Sequence, residues 1–254
     1  MQGAKDIMYA KHFSIEESKG KIYCDSEAQY NKSLQVIRNC RDYIKSYIQD
    51  YPEFELSYEP WTMENGENIP AIIQRMVNAS NAFNVGPMAS IAGAIVDEVF
   101  DNLGKEGVTD FLMENGGEIR VHSPGEKIIG TFTGESTLGS KIAFAIPPLS
   151  EKFSGIGTSS ATIGHAFSFG KADLVTVFCE NAALADAAAT AICNATRLDD
   201  EEDSIHDAIE EARKFEQITG VFIVQGKHVG TFGNLPRLVK LQGDEKVIHS
   251  ILKE

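Results

Sequence analysis

A carboxylate and a hydroxyl lie one helical turn apart in an alanine-rich segment of the chain. Asp186 and Thr190 stand at i and i+4 in the run LADAAAT (residues 184–190), so a helix would present both on one face. Both side chains offer hard oxygen ligands, which suit Mg²⁺ together with waters and phosphate oxygens. The spacing therefore indicates a magnesium site. The alternative is that the helix dipole merely stabilises the charge of Asp186 near the start of the helix, and that Thr190 lies on the helix surface.

Three glycine-containing segments could bring backbone N–H groups close to an anionic ligand. Residues 114–118 (ENGGE) could hold such a ligand or form a hairpin turn, because Asn-Gly and Gly-Gly favour positive φ. Residues 155–165 (GIGTSSATIGH) lack the lysine of a P-loop and predict an anion-holding loop or a flexible one. Residues 84–89 (NVGPMA) predict a glycine-rich entry into a helix or a plain turn. His165, beside the second segment, is a candidate base, although a lone histidine is more often structural.

Helices and hairpins alternate along the chain, and these elements must position the polar groups. Apolar periodicity predicts helices over residues 27–48, 69–82, 88–103, 181–194 and 204–215. Short β-type runs predict strands over residues 12–16, 21–24, 108–114, 118–122, 127–133, 141–146, 172–179, 221–224 and 228–232. This mixture predicts the α+β class, with mixed, largely antiparallel sheets packed with helices.

Composition narrows the classes of function. The 254 residues carry a net charge of −14 and include no basic patch, which disfavours nucleic acid as a partner. No apolar stretch reaches the roughly 18–20 residues of a membrane span, and the N-terminus lacks a signal-peptide pattern. The four cysteines show no CxxC spacing, so a zinc site or a dithiol motif is not supported. We therefore expect a soluble, cytoplasmic protein with neither a membrane nor a nucleic-acid partner.

The motifs, taken in order, resemble those of the ApbE superfamily, whose best-known members are Mg²⁺-dependent FAD:protein FMN transferases. The resemblance covers roughly residues 57–195, and within that superfamily the chain is most similar to a short, cytosolic branch of uncharacterised proteins in archaea and bacteria. It implies a single ApbE-like domain over residues 1–254, with the hairpin and long helix of residues 1–55 as an elaboration. The matching stretches are VGPMASIAGAIVD (85–97), NGGEIRV (115–121), TS (158–159) and ADAAAT (185–190).

The resemblance also implies roles for individual residues. Asp186 and Thr190 would bind Mg²⁺ together with a backbone carbonyl, and FAD phosphates would complete the site. His165 or Asp173 would serve as the catalytic base. Glu118 stands where the family usually has Asp. The residues implied to contact the flavin nucleotide are Gly86, Asn115, Gly116, Gly117, Glu118, Thr158 and Ser159.

Two departures from the family pattern bear on activity. The family helix usually carries Lys-Gly, where this chain has Ala92 and Gly93. The family histidine is usually followed by Asp-Pro, which is absent from residues 164–170. The expected function is FMN transfer from FAD to a protein Thr or Ser, or hydrolysis of the FAD pyrophosphate, and a homodimer is a further expectation. The alternatives are a non-catalytic flavin- or nucleotide-binding protein and an enzyme for another anionic small molecule on the same scaffold.

Overall fold

A large antiparallel sheet carries the helices on one face and a smaller sheet on the other. The computed structural model of the chain describes residues 9–63, 69–130, 142–160, 170–240 and 248–249. A short 3-10 turn, Pro87–Ser90, leads directly into α4. The helices of the described residues are α1 (Glu27–Asp50), α2 (Glu53–Leu56), α3 (Ala71–Ala82), α4 (Ile91–Gly104), α5 (Ala182–Ala195) and α6 (Glu201–Ala212). None of these helices is long and apolar enough to cross a bilayer.

The strands of the described residues form two sheets. Eight of them make the large sheet in the order β1-β2-β3-β4-β7-β8-β9-β10, with each neighbouring pair antiparallel. The other four make the small sheet in the order β11-β6-β5-β12, in which only β12 runs parallel to its neighbour. The strands are β1 (Tyr9–Ile15), β2 (Ser18–Cys24), β3 (Phe111–Asn115), β4 (Glu118–His122), β5 (Lys127–Gly130), β6 (Ile142–Ile146), β7 (Gly155–Ser159), β8 (Leu174–Cys179), β9 (Gly220–Gln225), β10 (His228–Gly233), β11 (Arg237–Lys240) and β12 (Ile248–His249). The predicted α+β class is confirmed.

Strand β8 shows why the large sheet is covered on both faces. All six of its residues are buried, and successive side chains point to opposite sides. Val175 and Val177 belong to the core beneath the helices, whereas Leu174 and Phe178 belong to the second core. In that second core the ring of Phe178 meets Phe144 of β6 with centroids 4.9 Å apart. A strand buried in this way reads as a continuous apolar run in the sequence.

Strand β7 corrects one prediction from the sequence. Residues 155–165 were expected to form a loop, but Gly155–Ser159 is a strand between β4 and β8. Its glycines serve close packing, because a Cβ at Gly155 would lie 2.0 Å from the carbonyl carbon of Asn181, and one at Gly157 would lie 2.2 Å from the carbonyl oxygen of Ala185. The backbone of α5 therefore rests directly on β7. Residues 161–165, including His165, lie outside the described residues.

A methyl group at Gly157 should be costly, because its contacts are with backbone that cannot rotate away. We expect Gly157→Ala to lower the free energy of unfolding by about 3 kcal/mol or more. Gly104→Ala is the matched control, since a Cβ there meets nothing within 4 Å, and it should leave stability nearly unchanged. Urea unfolding of both variants tests this. Equal stability of the two variants would contradict the close packing of α5 on β7.

Candidate functional site

Helix α5 carries the carboxylate and hydroxyl that the sequence singles out. Its N-cap is Asn181, whose side chain accepts a hydrogen bond from the N–H of Leu184 at 2.9 Å. The alanines between Asp186 and Thr190 are buried, whereas Asp186 and Thr190 themselves are half-buried. Because both residues lie within one continuous helix, their i, i+4 spacing places them on a common face. That face is the more accessible side of an otherwise buried helix.

The start of α4 holds the carboxylate of Asp186. The N–H of Gly93 donates to Oδ2 of Asp186 at 2.9 Å. A Cβ at Gly93 would lie 2.3 Å from the carbonyl oxygen of Ala182, so only glycine lets α4 and α5 approach this closely. The helix N-terminus also favours a negative charge at this point. The glycine of the Ala92-Gly93 pair thus has a structural reason, which is the contact between the two helices.

The turn between β3 and β4 lies beside this carboxylate. Gly116 and Gly117 have φ values of 70° and 122°, so both central residues of this two-residue hairpin occupy a region that favours glycine. The side-chain amide of Asn115 donates to the carbonyl oxygen of Ala92 at 3.2 Å. The hydroxyl of Thr158 donates to the carbonyl oxygen of Gly117 at 2.7 Å. The predicted hairpin turn is therefore confirmed, and hydrogen bonds attach it to α4 and β7.

Buried Glu118 and half-buried Asp186 form an acidic pair. Glu118 is 6% exposed, and its burial, followed by the charge of Asp186, raises its pKa well above the ordinary value. Burial also raises the pKa of Asp186, although the N–H groups of Gly93 and Ala92 act in the opposite direction. Across the described residues, none of the ion pairs with Lys, Arg or His includes either carboxylate. Two neighbouring carboxylates without a cationic partner suit a bound cation.

The donor set fits magnesium better than a metal that needs a closed cage. Within the described part of the chain, no group of three or more His, Cys, Asp or Glu side chains could hold a metal ion. Asp186 and Thr190 offer two oxygen ligands, and Mg²⁺ typically keeps waters and substrate phosphate oxygens in its remaining positions. A site of this kind would depend on its substrate for completion.

Sequence reasoning gave Glu114 no role of its own. It is 5% exposed, and its Oε1 accepts a hydrogen bond from the N–H of Gly117 at 3.0 Å, so it supports the hairpin turn from within. Burial raises the pKa of Glu114 to about 7 against the hydrogen bonds from the N–H groups of Gly117, Gly116 and Lys21. A carboxylate directly before the Asn-Gly-Gly turn could have suggested this support.

The raised pKa of Glu114 predicts a pH-dependent stability. The folded protein holds the proton to about pH 7 and the unfolded chain releases it near 4.5, so stability is lost as pH rises between these values. Glu114→Gln has no carboxyl group to titrate, so only wild type should lose this stability as pH rises. The free energy of unfolding of the variant, minus that of wild type, should therefore be about 2–3 kcal/mol larger at pH 8 than at pH 4. Urea unfolding at both pH values measures the shift. A difference between the two proteins that is independent of pH would contradict the assignment.

Not every residue proposed from the sequence joins this cluster. A Cβ at Gly86 would lie 1.8 Å from the carbonyl oxygen of Ser57, so Gly86 packs against the segment after α2. Asp173 accepts a hydrogen bond from the N–H of Gly226 at 2.7 Å, in the β9–β10 turn. Ser159 is buried and follows Gly157 by two residues, so it faces the α5 side of β7. Asn115, Gly116, Gly117 and Glu118 lie at the hairpin turn beside Asp186, and Thr158 contacts that turn through its hydroxyl.

Sequence reasoning also missed the role of Asp97, although the motif quoted for the family ends on it. Asp97 is 1% exposed and accepts hydrogen bonds from the N–H groups of Ala182 and Ala183, at 3.1 and 2.8 Å. Burial raises its pKa, opposed first by the charge of Arg120. The sequence gives one indication of this role. Asp97 directly follows the apolar residues 94–96 (AIV), and a carboxylate in such a position is expected to be buried and to need hydrogen-bond partners.

Known proteins resemble the chain in sequence and in fold. A family model described as "AbpE bacteria" matches residues 6–219. A UPF0280 protein of Methanocaldococcus jannaschii is 40% identical over 235 residues, which cover 92% of this chain and 94% of that protein. A UPF0280 protein of Methanospirillum hungatei is 37% identical over 237 residues, which cover 93% of each.

Two solved structures share the fold at low sequence identity. The flavin transferase ApbE of Vibrio cholerae has a TM-score of 0.58 at 14% identity, covering 89% of this chain and 97% of that one. The ApbE protein of Thermotoga maritima has a TM-score of 0.56 at 14% identity, covering 88% and 96%. At this identity the likeness establishes a common architecture and no more.

Proposed function

The chain belongs to the AbpE bacteria family, and from that premise we propose that it binds FAD with Mg²⁺ and transfers FMN from FAD to a Thr or Ser hydroxyl of an acceptor protein. The observation that carries the proposal is the placement of the half-buried carboxylate of Asp186. This carboxylate is held by the N–H of Gly93, lies beside Glu118 and precedes Thr190 by one helical turn. The Vibrio cholerae protein with the same fold is a flavin transferase, which supports the same class of reaction for this chain.

Asp186 and Thr190 would hold the metal. Bound there, Mg²⁺ would neutralise negative charge on the phosphate oxygens during transfer. The hairpin turn at Gly116 and Gly117 lacks side chains, so a phosphate could approach its backbone closely. The hydrogen bonds that attach this turn to α4 and β7 would keep it fixed beside Asp186.

In the proposed reaction the acceptor hydroxyl oxygen bonds to the phosphorus of the FMN half of FAD. The pyrophosphate P–O bond breaks, AMP leaves, and the hydroxyl proton passes to a base. With water in place of the hydroxyl, the products are FMN and AMP. His165 stays a prediction for the base. Asp173 also stays a prediction, although its carboxylate is engaged with the N–H of Gly226.

One observation favours a second candidate function, a non-catalytic flavin-binding protein. Ala92 stands where the family helix usually carries Lys, so a positive charge next to the proposed phosphate site is missing at that position. A binder would keep the metal and the nucleotide without turnover. An enzyme for another anionic small molecule on the same scaffold remains the third hypothesis from the sequence.

Purified protein separates these functions. The transferase proposal predicts that FAD and Mg²⁺ together raise the melting temperature more than either alone, and that AMP is released as FMN becomes esterified to a Thr/Ser peptide. Chromatography of AMP and mass spectrometry of the peptide measure the two products, and EDTA provides the metal-free control. FAD binding without AMP release would favour the binder, whereas neither binding nor release would contradict both proposals.

A further inference from the structure

Helix α4 contacts α5 at two points that are one turn apart on both helices. The carboxylate of Asp97 accepts the N–H groups of Ala182 and Ala183, at 3.1 and 2.8 Å. One turn earlier on α4, the N–H of Gly93 donates to Asp186 at 2.9 Å. The residues joined by these bonds are separated in the chain by 85 to 93 positions, so the bonds depend on the packing of the two helices and not on local structure.

Two contacts constrain α5 more than one would. A single contact would let a helix of 3.6 residues per turn rotate about its axis and carry Asp186 and Thr190 away from the hairpin turn. A second contact, one turn along, fixes both the rotation and the translation of α5 relative to α4. The contact at Asp97 also satisfies two of the N–H groups that the start of a helix leaves without partners.

Arg120 connects the contact at Asp97 to β4, the strand that follows the hairpin turn. Its Nη1 donates to Oδ1 of Asp97 at 3.3 Å and to the carbonyl oxygen of Glu180 at 2.9 Å, just before α5 begins. Its guanidinium lies over the ring of Phe100, 4.7 Å from the centroid. Arg120 follows Glu118 by two residues on β4, so both side chains point to the helix side of the sheet. One guanidinium thus joins β4, α4 and the end of the segment that leads into α5.

We propose that Asp97, held by Arg120, is a positioning residue that sets the rotation of α5 and so brings the Asp186 carboxylate to the N–H of Gly93 beside the hairpin turn. Asp97 is buried and accepts hydrogen bonds from the first residues of α5, so it would act on the site through that helix. The consequence for metal affinity rests on the function proposed above. The consequence for the position of Asp186 does not.

The first test needs no ligand, because the backbone amide of Gly93 reports the position of Asp186. Amide hydrogen exchange is followed by NMR, with Asp186→Ala defining the rate without the carboxylate. Asp97→Asn should move the Gly93 rate about tenfold, towards that of Asp186→Ala. Asn181→Ala is the matched control, since it removes a cap from the same turn of α5 without touching α4, and its Gly93 rate should stay within about twofold of wild type.

The second test measures the Mg²⁺ concentration that half-saturates the thermal shift with FAD. Asp97→Asn should raise it about tenfold, and Asn181→Ala should leave it within about twofold. Should Asp97→Asn fail to fold, Arg120→Lys keeps the charge, loses the double contact and should act in the same direction. A wild-type rate at Gly93 in the folded variant, or an equal change in Asn181→Ala, would overturn the inference. Absence of any FAD and Mg²⁺ effect in wild type would refute the proposed function alone.

Discussion

Asp186→Ala is expected to lower the Mg²⁺-dependent release of AMP from FAD by about 10³-fold. The variant removes the only carboxylate of the proposed metal pair and also leaves the N–H of Gly93 without its acceptor. Chromatographic measurement of AMP over a range of Mg²⁺ concentrations tests the prediction. Asp207→Ala is the matched control, because Asp207 is an exposed acid on α6, and it should retain full activity.

A second substitution at the same position separates folding from function. Asp186→Asn keeps the side-chain volume and an oxygen that can accept from Gly93, so its free energy of unfolding should stay within about 1 kcal/mol of wild type. It should nevertheless lose turnover, because an amide is a much weaker magnesium ligand than a carboxylate. AMP release by folded Asp186→Asn at the wild-type rate would contradict the metal role.

Thr190→Val should lower the same activity by about 100-fold, mainly through a higher requirement for Mg²⁺. Valine has nearly the shape of threonine but no hydroxyl, and the half-buried position tolerates the methyl group. Thr190→Ser restores the hydroxyl and should retain activity within about fivefold of wild type. The measurement is AMP release as a function of Mg²⁺ concentration for both variants.

The control for Thr190 is Thr231→Val, an equivalent change at an exposed position on β10. It should leave both the activity and its Mg²⁺ dependence unchanged. If Thr190→Val and Thr190→Ser behave alike, the hydroxyl has no ligand role, and the threonine is only part of the helix surface.

Helix α5, which carries the site, was predictable because the sequence features that indicate it all lie within the helix or directly before it. The spacing of Asp186 and Thr190, and the Asn cap before the alanines, lie within one continuous segment. Strand β8 was equally clear as an unbroken β-type run. The short strand β11 was not predicted, since four residues with charged ends give no strong pattern.

Strand β7 was missed because glycine is ambiguous in a sequence. Gly155 and Gly157 suggest a flexible loop, but their lack of side chains instead makes room for the backbone of α5. The requirement comes from an element about 25 residues further along the chain. The alternation of glycine with Ile156 and Thr158 was the only local indication of a strand with one face free of side chains.

The motif residues of the site could be named from the sequence, but their contacts could not. The bonds from Gly93 to Asp186 and from Ala182 and Ala183 to Asp97 depend on how two distant helices cross. The same is true of Thr158, whose hydroxyl donates to the carbonyl oxygen of Gly117. Such contacts follow from the packing of helices and strands, which motif spacing does not specify.

The most direct measurement is the anomalous scattering of Mn²⁺, substituted for Mg²⁺, in crystals grown with FAD. We expect one strong peak in contact with side-chain oxygens of both Asp186 and Thr190, with the pyrophosphate of FAD against the same peak. No peak in the presence of ordered FAD, or a peak bound by other residues, would contradict a magnesium site on α5.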